Sequence, residues 1–144
     1  MKQAVFAILF AAGLGACAPN APASTPEAPA AGASLDQPFA LRVGQRATVA
    51  GAGVNVRFEE VASDSRCPSD VQCVWAGNAV VRAVLSQDRK AFGAELNTGT
   101  EPRSVRYLDY DVALVSLAPQ PAAQGSAIPP SQYVATFRVT RAAP

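Results

Sequence analysis

The stretch Asp64-Ser65-Arg66-Cys67-Pro68-Ser69-Asp70-Val71-Gln72-Cys73-Val74-Trp75-Ala76-Gly77-Asn78 gathers the most chemically distinctive side chains of the 144-residue chain. Cys67 and Cys73 enclose five residues, among them a proline and a Ser-Asp pair that favour a turn. In an oxidising compartment this spacing predicts a local disulfide. Closing a loop of about seven residues is worth about 2.4 kcal/mol in chain entropy, so its larger effect is to fix one loop's shape. The competing chemistries fit less well. Reactive dithiols usually show Cys-X-X-Cys spacing, and zinc would need two further ligands in a chain that has no histidine. Trp75 lies two residues after Cys73, so on an extended segment both side chains leave one face and the indole is expected to cover the disulfide. Arg66, Trp75 and Asn78 form a candidate recognition face, because arginine and tryptophan are enriched among interface anchors. The structural alternative is that Arg66 bridges to Asp64 or Glu60 while Trp75 belongs to the core.

No other residue set makes a recognisable catalytic constellation. Without histidine, Ser-His-Asp and Cys-His catalysis fall away, as does the commonest transition-metal ligand. A serine–lysine dyad would have to use Lys90, which sits in Gln87-Asp88-Arg89-Lys90, a sequence that reads as a solvated hairpin tip. Glu59 and Glu60 are adjacent, and on a regular strand they point to opposite faces, so they do not form a glycosidase pair. Asp109 and Asp111 share a face if extended, and with Asp64 and Asp70 would offer oxygen ligands to calcium, although no EF-hand-like spacing is present. The simpler reading has Asp64 bonding the loop backbone and Asp70 facing an arginine or solvent. No metal or cofactor is implied.

Residues 1–17 read as a leader. Lys2 precedes an apolar run over 4–14, too short for the roughly 20 residues that span a bilayer. The ending Leu14-Gly15-Ala16-Cys17 resembles the lipobox of bacterial lipoproteins. That resemblance implies cleavage before Cys17, a lipid on Cys17 and attachment to a membrane of the cell envelope. It leaves Cys67 and Cys73 as the remaining pair. By the same resemblance, Ala18 rather than aspartate after the anchor favours the outer membrane, facing the periplasm. Residues 18–34 follow as a tether, with prolines at 19, 22, 26 and 29 and no large apolar side chain to offset the entropy of ordering. Fully extended at about 3.1 Å per residue, the tether would reach about 50 Å.

What must position the central stretch is the remainder, 35–144, near the usual size of one domain. Lys2 is the leader's only charge, so beyond it 11 basic residues face 11 acidic ones. The arginines are scattered, without the basic stripe of a nucleic-acid binder. Alternation of period two marks strands at 39–43, 54–58 and 133–140, and aliphatic or short candidates fall at 47–49, 79–85, 91–96, 104–107 and 111–117. The run 79–85 carries only Arg82 as a charge and reads as buried on both faces. The proline-rich 119–131 reads as a surface loop. These elements predict an all-β domain, a single antiparallel β-sandwich or small barrel of about seven strands. Asp-Ser-Arg-Cys-Pro followed by Cys-Val-Trp-Ala-Gly-Asn-Ala also resembles a motif of small exported bacterial proteins, over about 54–85 and extending to strands near 110–119 and 133–141. That resemblance implies a β-rich envelope domain and no activity. The expectation is a lipid-anchored, non-enzymatic binding or structural module with an envelope protein or glycan as partner and no nucleic acid. A carboxylate-dependent glycan hydrolase, or an inhibitor or ion-binding module using the disulfide loop, stand as alternatives.

Overall fold

A computed structural model describes residues 32–144. The leader, Cys17 and all but the last three residues of the tether lie outside the described residues. Eight strands follow one another: β1 (Pro38–Arg42), β2 (Arg46–Thr48), β3 (Asn55–Asp64), β4 (Ala79–Gln87), β5 (Lys90–Asn97), β6 (Ser104–Tyr107), β7 (Tyr110–Ala118) and β8 (Val134–Arg141). They form two four-stranded antiparallel sheets, ordered β1-β8-β7-β6 and β2-β3-β4-β5. The arrangement is the expected β-sandwich, open rather than closed into a barrel, and each of the eight candidate strands is formed. Packing begins slightly earlier than 35, because Ala33 is buried and its carbonyl accepts from Ala50 N at 3.0 Å.

The core follows from alternation. Phe39 and Leu41 of β1, Ala135, Phe137 and Val139 of β8, and Val112 and Leu114 of β7 are buried on one sheet. They meet Val56 and Phe58 of β3, Val81, Ala83 and Leu85 of β4, and Leu96 of β5 on the other. Phe58 meets Phe137 edge-on, with ring centroids 6.1 Å apart. Strand β4 is not buried on both faces as expected. Its fully buried positions alternate with partly exposed Val80, Arg82 and Val84, because only one side of its sheet is covered. Glu59 and Glu60 also depart from strict alternation. A register shift between Phe58 and Glu60 inserts an extra residue into β3, and both carboxylates are exposed.

The register defines two ends. Asp64 opposite Ala79 and Ala118 opposite Val134 bring the connections 65–78, 98–103 and 119–133 to one end. The hairpins Gln87–Lys90 and Tyr107–Tyr110, the entry to β1 and the C-terminal residues lie at the other. The Gln87–Lys90 hairpin tip is as the sequence predicts, with Asp88 taking a left-handed backbone (φ 53°) in the two-residue turn.

Candidate functional site

The disulfide loop grows directly out of the β3–β4 ladder. Ser65 N donates to Asn78 O at 2.7 Å and Cys67 N donates to Ala76 O at 2.9 Å, which continues the pairing past the strand ends. The predicted Cys67–Cys73 disulfide is formed, with S–S 2.15 Å and Cα–Cα 5.9 Å, and it closes the tip. Gly77 has φ +72°, and a Cβ there would stand 1.9 Å from Ser65 O, so the two arms of the loop approach as only glycine permits. The 119–133 connection supports the loop from the side. Ser69 N donates to Pro121 O at 2.9 Å and Gln120 Nε2 donates to Cys67 O at 2.5 Å.

Beneath the loop lies Arg66, the one charged side chain among the described residues that is buried, at 8% exposure. Its Nε and Nη2 donate to the two oxygens of Asp64 at 2.8 and 2.6 Å. Nη1 donates to Leu117 O at 2.6 Å and Nη2 also to Pro119 O at 2.8 Å. Asp64 Oδ1 accepts from the Arg66 backbone as well, at 3.1 Å, and Oδ2 accepts from the Tyr133 hydroxyl at 3.0 Å. The Asp64–Arg66 pair thus ties β3, the end of β7 and the residue just before β8 together. Burial pushes the Asp64 carboxyl up, but the Arg66 and Tyr133 hydrogen bonds and the guanidinium charge outweigh it and hold the group below its ordinary value. The Tyr133 phenol is raised, first by burial and then by its bond to the Asp64 carboxylate.

Trp75 does the opposite of what its spacing from Cys73 suggested. It is 82% exposed and its neighbour Val74 is 91% exposed, with Val71 partly exposed beside them. The expected cover over the disulfide fails because residues 72–78 form no strand, so the two-residue alternation of an extended segment does not apply. Arg66 therefore bridges to Asp64 inside the fold, while Trp75 stands outside it. Asn78 is also turned inward. Its Nδ2 donates to Asn97 Oδ1 at 2.8 Å, and its Oδ1 accepts from Thr98 N and Gly99 N at 3.1 and 2.8 Å. Of the three recognition candidates, only Trp75 faces solvent. The roles of Leu117 and Pro119 in holding Arg66, and of Tyr133 in holding Asp64, were missed. Only Asp64, two residues from Arg66, left a local signal.

Glu60 and Glu95 both accept from Arg82, at 2.7 and 2.8 Å, and Glu59 lies 3.9 Å from Arg57. Asp109 and Asp111 belong to the β6–β7 end, away from Asp64 and Asp70, and among the described residues no three acidic or cysteine side chains group as metal ligands. The chain matches no family model, no curated protein and no solved structure.

Proposed function

We propose that this chain is a non-enzymatic, lipid-anchored binding module of a bacterial envelope, and that it holds a partner protein through the disulfide loop. The observation that carries the reading is the pair Val74–Trp75, almost wholly in water at the tip of a loop fixed by a disulfide and two main-chain bonds. A small domain gains nothing in its own stability from an indole left in solvent, whereas a pre-ordered aromatic lowers the entropic cost of binding. The surrounding polar groups favour a protein over a glycan as partner. The Ser65 hydroxyl already bonds the Asn78 main chain and the Asn78 amide is taken up by Asn97, Thr98 and Gly99, which leaves apolar area rather than a hydrogen-bonding lattice around Trp75. The anchor rests on the lipobox ending at Cys17. Since the described chain enters at the far end of the sandwich, a tether from Cys17 joins the end opposite Trp75.

Two measurements test this. A photo-crosslinking residue at position 74 in living cells should yield a discrete protein adduct that the same residue at position 89, on the opposite end, does not. Identical adducts from both positions, or none from 74, would sink the binding role. The mass of the mature protein should correspond to an acylated Cys17 as its first residue, and an unmodified Cys17 would remove the anchor.

A further inference from the structure

Beside the disulfide loop, under Ala76 and Gly77, lies a cavity of about 310 Å³ that opens at the end of the sandwich. Its apolar walls are Leu114 and Leu117, and its polar lining consists of Arg66, Arg103, Thr98, Ser116 and Gln120. Two arginines therefore line a cavity that has no Asp or Glu in its lining. Arg66 is neutralised by Asp64, yet only four of the five N–H groups of a guanidinium have protein acceptors, which leaves one on Nη1. Arg103 forms no side-chain hydrogen bond or ion pair among the described residues; only its main chain is engaged, donating to Glu101 Oε2 and accepting from Leu114 N. Thr98 Oγ1 accepts from Ala79 N at 2.8 Å, and its own proton has no acceptor among the described residues. Ser116 has no side-chain partner among the described residues. Gln120 uses one amide hydrogen on Cys67 O, and the other has no acceptor among the described residues. The cavity is thus lined by residues with unused donors from three separate segments, and Arg103 among them forms no side-chain ion pair among the described residues.

We propose that this cavity binds a carboxylate, with Arg103 supplying the charge and the Arg66 Nη1, Thr98 and Ser116 donors fixing its orientation. Planar guanidinium donors match the two oxygens of a carboxylate. Leucine walls suit the aliphatic carbon that carries it, as in the side chain of Asp or Glu or at a peptide C-terminus. The shallow groove beside Trp75 shares Ala76 and Gly77 with this cavity, so one acidic peptide segment can reach both. The carboxylate site itself does not depend on the reading of Trp75.

The test is a titration of the full-length protein with N-acetyl-aspartate amide, followed through the amide resonances of Thr98 and Ser116 and the Nε–H of Arg103. N-acetyl-asparagine amide serves as the uncharged isostere, and inorganic phosphate as the alternative anion. Saturable shifts with a dissociation constant on the order of 1–10 mM are expected for so small a ligand, with no saturation by the asparagine compound. Arg103→Gln should weaken binding at least about tenfold, the loss of a charge-assisted contact, without a change in melting temperature. Trp75→Ser should bind as the wild type does, so failure of the cavity and failure of the Trp75 surface are read separately. An equal response to both isosteres, an Arg103→Gln titration that superimposes on the wild type, or saturation by phosphate alone would overturn the assignment.

Discussion

Arg66 and Trp75 are nine residues apart and have exchanged the places that their chemistry suggests. The arginine is inside because each oxygen of Asp64 and two main-chain carbonyls receive its N–H groups, and a buried charge survives only with that degree of compensation. Removing the partner should therefore be costly. Asp64→Asn leaves the guanidinium buried without its counter-charge, and a loss of about 3–5 kcal/mol is expected in urea unfolding at pH 7. A loss below about 1 kcal/mol would show that the pair is solvated in practice. The pH dependence has a definite sign. The folded Asp64 carboxyl lies below its unfolded value, so its stabilisation is complete above about pH 3.9 and is lost as pH falls through the folded value. The Asn variant should lack that acid-side loss when unfolding is followed from pH 7 to pH 2. Trp75→Ser gives the contrasting result: with the indole in water, unfolding free energy should change by no more than about 0.5 kcal/mol. A larger loss would mean that the indole packs on the domain after all.

At the scale of elements, the 65–78 loop is a continuation of the β3–β4 hairpin whose tip is held by a covalent clasp. Replacing Cys67 and Cys73 together by serine should lower stability by about 2.4 kcal/mol, the chain-entropy value for so short a loop, while the far-ultraviolet spectrum of the sheets is retained. Global unfolding of the double variant would assign the bridge a larger part than closing one loop. Gly77 is a sharper test of the loop's shape. Gly77→Ala places a methyl 1.9 Å from Ser65 O and forces a left-handed backbone on alanine. A loss of at least about 1–2 kcal/mol is expected from the backbone alone, measured by thermal melting. An unchanged melting curve would mean that the arms of the loop do not approach as described.

At the scale of the molecule, two sheets share one core, with Phe137 between Phe39 and Phe58. Since Phe137 joins β8 to both sheets, Phe137→Ala should cost about 3–5 kcal/mol and shift a single cooperative transition rather than split it. Two resolved transitions would indicate sheets that unfold separately. The sandwich also gives the molecule polarity. The entry to β1 and the hairpin tips are at one end, while the disulfide loop, the 98–103 turn and the 119–133 connection are at the other.

Much of this architecture could be read from the chain. Period-two alternation at 39–43, 54–58 and 133–140 marks strands because side chains on a pleated backbone leave it on alternate sides, and the five-residue gap between Cys67 and Cys73 suffices for a bridge. Those are local matters, decided within a few residues. The fate of Arg66, Trp75 and Asn78 was not local. Arg66 is held by carbonyls 51 and 53 residues away, Asn78 by Asn97, Thr98 and Gly99, and the donors around the Arg103 cavity come from three separate segments. Trp75 is exposed because, where the chain leaves the ladder, alternation no longer says which side of it is inside. Only the packing of one sheet end against the other decides that, since burial depends on what arrives from elsewhere in the chain.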